Sequence, residues 1–221
     1  MERMGIIIQA RLGSTRLVNK VDLPFFEEKT ILDILLEKLM VLKKKYPIIL
    51  STGRNVENRT LEKYAIKYGI HFFQGDEVNV LDRYIDTANF YKIDKIIRIC
   101  SDNPFLDINY LLKLIDLSEN NDIDYISFKN QHNIPVIKTH LGLFGEIVTL
   151  KSLKKEKSLV SDINIVEHVT KFIYENSKIF KIHLEKCPLE VFYRDDLRFT
   201  IDDKDDFNDL SLLYGQYLKL N

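Results

Sequence analysis

The chain has 221 residues, 45% of them hydrophobic, with 32 basic and 33 acidic side chains and a formal net charge of -1. That supplies enough apolar material for a sizeable core, and the balanced charge excludes a global attraction to nucleic acid or to an anionic membrane, so any anion site must be local. No apolar run approaches the ~18 residues of a membrane span, the N-terminus lacks a signal-peptide pattern, and Cys100 and Cys187 form neither a C-x-x-C pair nor a metal-ligand spacing. The reading is a cytoplasmic protein with two reduced thiols.

Gly5 to Gln9 is a short β-branched run whose unbroken hydrophobicity suits a strand buried on both faces. Ile31 to Lys44 places Ile31, Leu32, Leu35, Leu36, Leu39 and Leu42 at helical spacing, with lysines at the end where a helix C-terminus favours them. Ile48 to Leu50 reads as a second strand. Asn58 to Tyr68 reads as a helix closed by Gly69, and His71 to Phe73 as a third strand. A helix over Val80 to Tyr91, a fourth strand over Lys95 to Ile99, a helix over Ile108 to Leu117 and a fifth strand over Asp124 to Phe128 follow. Strands alternating with helices predict an α/β fold with a mostly parallel sheet and ligands at the carboxyl ends of its strands. Beyond that point the rhythm changes. Asn130 to His140 reads as a polar loop, Glu146 to Thr149 as a strand and Ile163 to Glu175 as a helix. Phe180 to His183 and Phe199 to Ile201 read as strands, and Asp205 to Leu220 as a terminal helix. The second part is expected to extend the same sheet.

The segment IIIQARLGSTRLVNKV, Ile6 to Val21, carries the most information. A buried strand runs into a loop with Gly13, Ser14 and Thr15 and three cations, Arg11, Arg16 and Lys20. Its glycine spacing matches neither a Walker A loop nor the dinucleotide fingerprint. A Gly-Ser-Thr turn nevertheless exposes backbone amides, arginine grips phosphate in a bidentate fork and lysine adds a compact charge. The set suits a triphosphate; the plainer reading is a solvated basic loop paired to surface carboxylates.

Two acidic stations complete the pattern. RICSDNPFLD, Arg98 to Asp107, puts Asp102 just past the fourth strand, where Asn103 and Pro104 turn the chain. RFTIDDKDDF, Arg198 to Phe207, puts Asp202 and Asp203 after a predicted short strand. One or two carboxylates with phosphate oxygens and water are what Mg²⁺ takes. Asp102 also reads as a simple turn residue, and Asp202, Asp203, Asp205 and Asp206 as helix N-caps. Asp202 is preferred as the ligand because it directly follows the predicted strand, and whether Asp203 shares it is left open.

These motifs resemble the cytidylyltransferases of the acylneuraminate/Kdo type, nearest to the spore-coat polysaccharide cytidylyltransferase-like branch. The resemblance runs through the opening motif, GDEVNVLDRY (Gly75 to Tyr84), RICSDNPFLD, EHVTKFIYEN (Glu167 to Asn176) and RFTIDDKDDF, in that order over nearly the whole chain. It implies a three-layer α/β/α nucleotidyltransferase of the nucleotide-diphospho-sugar transferase-like kind, usually a homodimer. One domain spans 1–221, with 1–129 as the nucleotide-binding part and 130–221 as the acceptor-binding and dimerisation part. It implies Mg²⁺-dependent transfer of CMP from CTP to an acidic sugar, with nonulosonic acids of the sialic or legionaminic type as leading acceptors, pyrophosphate as the by-product and surface polysaccharide or glycan biosynthesis as the setting. Carried over, Gln9, Ala10, Arg11, Gly13, Ser14, Arg16, Lys20, Asp82 and Arg83 bind the nucleotide. Arg11, Lys20 and Asp102 are catalytic, and Asp102 and Asp202 hold the metal. Lys138, His140, Glu146 and His168 are the acceptor-side candidates. Nucleic acid and membrane are not expected partners.

Three departures from the family pattern stand out. Val18-Asn19 replaces a Pro-Gly before the lysine, Phe26-Glu27 replaces a Gly-Gly pair, and Arg54 to Asn58 lacks the usual aspartates. Other readings remain: a phosphorylated acceptor giving a CDP-linked product, a glycosyltransferase using a nucleotide sugar, or a nucleotide-binding protein without catalysis. For the glycosyltransferase, Asp122-Ile123-Asp124 and Asp203-Lys204-Asp205 lack the expected strand-end setting.

Overall fold

Ile6, Ile7 and Ile8 are fully buried at the middle of a seven-stranded sheet. This is seen in a computed structural model that describes residues 2–119, 121–160 and 167–220. β1 (Met4–Gln9) pairs in parallel with β4 (Ile48–Gly53) on one side and β6 (Lys95–Cys100) on the other. A strand flanked twice and covered on both faces must be apolar throughout, which is why its sequence does not alternate. Ile6 and Ile8 pack into one core, Ile7 into the other.

The sheet runs in the order β5, β4, β1, β6, β8, β7, β9. β5 (His71–Gly75), β7 (Tyr125–Lys129) and β9 (Ile182–Lys186) keep the parallel direction, while β8 (Glu146–Thr149) lies antiparallel between β6 and β7. Two further strands, β2 (Pro24–Phe26) and β3 (Lys29–Thr30), form a small hairpin outside the sheet.

Helices cover both faces, giving the three layers that the sequence implied. The first face carries α1 (Ile31–Leu39), α2 (Glu62–Tyr68) and α4 (Ile108–Glu119). The second carries α3 (Val80–Phe90), α5 (Leu150–Leu159) and α6 (Lys171–Glu175). A four-residue helix α7 (Leu189–Phe192) follows β9. A smaller third core joins the β2–β3 hairpin to the terminal helix α8 (Lys204–Leu220) through Phe25, Leu210 and Tyr214. α1 begins in a capping box between Thr30 and Asp33, and Gly69 closes α2 in the left-handed region at φ 59°. No helix among the described residues is long and apolar enough to cross a membrane.

Several expected elements change. The predicted helix over Ile31 to Lys44 stops at Leu39 and tightens into a 3₁₀ turn over Met40–Leu42. Asn58 to Leu61 is likewise 3₁₀ before α2 starts. Of the helix predicted over Ile163 to Glu175, positions 163–166 lie outside the described residues, 167–170 are turn, and 171–175 are α6. The strand expected at Phe180 to His183 is shifted to Ile182–Lys186 by its pairing with β7. Phe199 to Ile201 is not a strand. Its amides bond to loop carbonyls instead, Phe199 N to His140 O at 2.8 Å and Ile201 N to Asp102 O at 3.1 Å. With loops rather than a strand edge beside it, no ladder forms. α5 was not anticipated; its lysine-rich sequence buries only Ser152, Leu153 and Glu156.

Candidate active site

The carboxyl ends of β1 and β6 meet with Gln9 opposite Cys100, and there the chain leaves the sheet on both strands. A cleft of about 260 Å³ opens at this edge. From the first loop it takes Gln9, Arg11, Ser14, Thr15, Arg16 and Lys20; from β6 and the turn after it, Arg98, Cys100, Ser101 and Asp102; from later in the chain, Glu167, His168 and Asp202.

The loop is built to hold its cations in place. Leu12 N donates to the buried Asn58 Oδ1 at 2.9 Å, and Ser14 N and Asn19 N both donate to Leu12 O. Asn19 then sits at φ 58°, in the left-handed region, where the family pattern has glycine. Asparagine is the residue that tolerates this conformation best after glycine, so the departure preserves the turn that delivers Lys20. Gly13 has a different character: a Cβ there would meet nothing within 4 Å.

Each cation in the cleft faces a carboxylate. Lys20 Nζ lies 3.1 Å from Asp102 Oδ2 and also donates to Ile201 O. Arg16 Nη2 lies 2.7 Å from Asp202 Oδ1, and Arg11 Nη2 lies 3.3 Å from Glu167 Oε1. On the floor Arg98 pairs with Glu146, its cross-strand neighbour in β8. Glu146 is buried and also accepts from the Tyr125 hydroxyl and from Thr170 Oγ1 at 3.0 Å. The two hydroxyls and the Arg98 pair satisfy the Glu146 carboxylate, while Arg98 Nε is buried without a hydrogen-bond partner. Burial pushes the Cys100 thiol up to about 11, so it stays protonated at neutral pH and is no nucleophile.

The second aspartate is delivered without a strand. Arg198 Nη2 donates to Asp202 Oδ2 at 2.9 Å and, together with Nε, holds Asp206, while Asp206 Oδ2 accepts from Asp202 N. Asp203 Oδ1 accepts from Asp205 N and Asp206 N, capping α8. Asp203 and Asp206 are thus occupied as caps and clamps, and Asp202 is the one of the four that lines the cleft.

The structure brings together Gln9, Arg11, Ser14, Arg16, Lys20, Asp102, His168 and Asp202. Ala10 lies beneath them in the core, and Gly13 borders a separate cavity beside Asn19 and Lys63. Asp82 pairs with Lys157 at 2.7 Å, and Arg83 is buried with Nη1 donating to Asp76 O; neither lines the cleft. Glu146 is buried beneath the cleft, paired with Arg98, and does not line it. His140 Nδ1 stands 3.5 Å from Asp202 at the rim, whereas the Lys138 ammonium pairs with Glu175. Sequence reasoning missed Arg98, Glu167 and Arg198. Arg98 had a signal, being the one charge within the run Ile96 to Cys100 of a buried strand. Arg198 had none, because its partners are set by the fold of the closing segment.

The model of the family described as "Cytidylyltransferase" matches residues 5–216. The chain belongs to that family. An uncharacterized protein of Methanocaldococcus jannaschii is 40% identical over 91% of this chain and 79% of its own length. The spore coat polysaccharide biosynthesis protein SpsF of Bacillus subtilis is 31% identical over 97% and 87%. Among solved structures, a cytidylyltransferase from Leptospira borgpetersenii superposes with a TM-score of 0.82 at 29% identity, covering 99% of this chain and 96% of that one. The synthetase of CMP-2-keto-3-deoxy-manno-octonic acid in complex with CTP superposes at 0.70 over 98% and 100%, at 13% identity. The fold is accordingly that of the nucleotidyltransferases, and the chain is an enzyme of that class.

Proposed function

We propose that this enzyme transfers CMP from CTP to an acidic sugar, a nonulosonic acid of the sialic or legionaminic type, releasing pyrophosphate. One observation carries the reading: the cations of the first loop and the two aspartates converge on a single cleft, with Arg16 paired to Asp202, Lys20 to Asp102 and Arg11 to Glu167. A triphosphate brings anionic oxygens that compete for Arg11, Arg16 and Lys20, and the carboxylates so released face the same space.

The residues present fit Mg²⁺. Asp102 and Asp202 offer hard carboxylate oxygens to one cleft, the donor type this ion takes alongside phosphate oxygens and water. Bound there, the ion would supply charge neutralisation at the phosphates and acidify a coordinated hydroxyl. The chain's own groups do the rest. Arg11, Arg16 and Lys20 hold the β- and γ-phosphates and offset the charge that gathers on the leaving pyrophosphate. Gln9 and Ser14 lie along the same path. Arg98, fixed by Glu146, holds positive charge at the floor. The acceptor oxygen attacks the α-phosphorus in line with the departing oxygen, with Asp102 beside the point of attack, and positioning supplies much of the rate. His168 and His140 stand where an acceptor carboxylate would enter.

In this reading residues 1–129 bind the nucleotide and 130–221 complete the acceptor side, and the enzyme works as a cytoplasmic homodimer in surface polysaccharide or glycan synthesis. It rests on the site geometry together with the family and the names of its relatives. The test is pyrophosphate release with Mg²⁺, each of the four nucleoside triphosphates, and a panel of acidic sugars and phosphorylated alcohols, with mass spectrometry of the product. A CMP-sugar formed from CTP and a nonulosonic acid is the expected result. Turnover confined to phosphorylated alcohols would replace the acceptor class, and silence across the panel would overturn transfer.

A further inference from the structure

Lys38 of α1 is half-buried, and among the described residues no carboxylate is bonded to it. Its ammonium donates to Leu106 O at 3.2 Å and stands 6.0 Å from the ring centroids of both Tyr214 and Tyr217, the outer reach of a cation–π contact. Asp107 draws on it only at longer range, its own carboxylate accepting from Asn109 N and Tyr110 N at the start of α4. Along α1 and the β2–β3 hairpin, Glu37 is paired with Lys29 and Asp33 with Lys67. Burial lowers the pKa of Lys38 to about 8 from an ordinary 10.5, against the pull of Asp107. A leucine or methionine would fill such a position without the cost of desolvating a charge.

The partners of this ammonium belong to the two aspartate stations. Leu106 closes the turn that begins at Asp102, its amide donating to Asn103 O at 3.2 Å. Tyr214 and Tyr217 belong to α8, which starts at Lys204, just after Asp202. Phe105 fills the space between them, its ring centroid 5.4 Å from Phe199, 5.6 Å from Tyr214 and 6.3 Å from Tyr217. Among the described residues the one backbone hydrogen bond joining the two stations is Ile201 N to Asp102 O, at 3.1 Å.

We propose that Lys38 is a positioning residue for the transfer reaction: through Leu106 O and the two tyrosine rings, its ammonium fastens the turn carrying Asp102 to the segment carrying Asp202. The assignment rests on the transferase reading above, because it concerns the spacing of the two carboxylates that this reading gives to the metal. Such a pair has to be held to about 0.5 Å, and neither aspartate stands in a strand. One cation that satisfies groups on both segments ties their positions together. Neutralising it weakens the bond to the carbonyl and both ring contacts at once. The fastener works while Lys38 is charged, so it is present at pH 7 and is lost as pH rises through about 8.

The variants are Lys38→Met, which keeps an unbranched stem and removes the charge, and Lys38→Arg, which stays charged across the working pH range. Because the lost charge was desolvated, Lys38→Met should leave Tm unchanged or raise it. Hydrogen exchange followed by NMR without substrate should show the Leu106 and Ile201 amides of Lys38→Met exchanging at least about fivefold faster, with the amides of β1 unchanged. In the pyrophosphate-release assay at pH 7, Lys38→Met should lower kcat about tenfold, and Lys38→Arg should keep it within about threefold. The CTP dissociation constant should move by less than about twofold in either variant, since Arg11, Arg16 and Lys20 still hold the phosphates. The ratio of wild-type kcat to that of Lys38→Arg should fall about fivefold from pH 7 to pH 9, a change that groups common to both proteins do not produce. Unchanged exchange at the two amides overturns the fastener. An unchanged kcat in Lys38→Met, or a ratio flat with pH, overturns its role in the reaction, and faster exchange throughout the fold with a lowered Tm makes Lys38 a general structural residue instead. Faster exchange confined to the two amides, in a protein whose wild type releases no pyrophosphate, would sustain the fastener and sink the transfer reading.

Discussion

Asp102 and Asp202 reach the same cleft by unlike routes. Asp102 arrives because β6 ends and Asn103-Pro104 forces a turn, a local instruction written in the sequence. Asp202 arrives because Arg198 clamps it and Asp206 caps the backbone around it. In the proposed mechanism Asp102 stands at the reacting centre and contributes little to holding the nucleotide, which rests on Arg11, Arg16 and Lys20. Asp102→Asn keeps size and hydrogen bonding but removes the charge. It should lower kcat at least about a hundredfold, the scale expected when charge at a reacting centre is lost, and change the CTP dissociation constant by less than about threefold. Steady-state kinetics with isothermal calorimetry reads both, and an unchanged kcat would remove Asp102 from the chemistry. The individual site residues were legible where chemistry clusters in a short stretch, as in Arg11 to Lys20. Glu167 and Arg198 were not, because their roles depend on partners 156 residues away for Glu167 and on the turn of the closing segment for Arg198.

At the scale of elements, two glycine-type positions of the family are filled by other residues, and the chain keeps both turns. Asn19 adopts φ 58° at little penalty. Glu27 adopts φ 51° in the two-residue turn of the β2–β3 hairpin, Phe26 being paired with Lys29. A left-handed glutamate costs about 1–2 kcal/mol, only partly offset by the greater unfolded-state freedom of glycine. Glu27→Gly should therefore raise Tm by about 2 °C, on a scale of 2–4 °C per kcal/mol for a chain of this length; calorimetry showing a fall would mean that the glutamate side chain stabilises the hairpin. The hairpin itself was illegible because its strands are three and two residues long, too short for a period to show. It matters because Phe25 and Tyr214 tie it to α8, the helix that follows Asp202.

Across the whole molecule, one acid among the described residues, Glu156 of α5, is fully buried with neither carboxylate oxygen partnered. Burial pushes its pKa up to about 8 from an ordinary 4.5, against the pull of Arg98. Between those values the folded chain holds a proton that the unfolded chain has released, so the group's contribution to stability is full below about 4.5 and is lost as pH rises towards 8. Glu156→Gln keeps the neutral shape and does not titrate. The difference in Tm between variant and wild type should grow from pH 5 to pH 8 in favour of the variant. A difference independent of pH would show that Glu156 is ionised in the fold.

The sequence by itself determined the alternation of strands and helices, the buried central strand, the cationic loop and the turn at Asp102. Each of these is local: periodicity, β-branching and Gly/Asn/Pro chemistry act within a few residues. The family resemblance then implied the class of enzyme. Tertiary structure decided what depends on distant partners. β8 enters antiparallel between β6 and β7, which puts Glu146 against Arg98. The segment expected as a strand at Phe199 to Ile201 is fastened to loops, because no strand edge reaches it. Ion pairing set Asp202 apart among four neighbouring aspartates, and the packing of three separate segments around Asp102 made a second cavity, beside the buried and unpartnered Asn103 Oδ1, that no local pattern encodes.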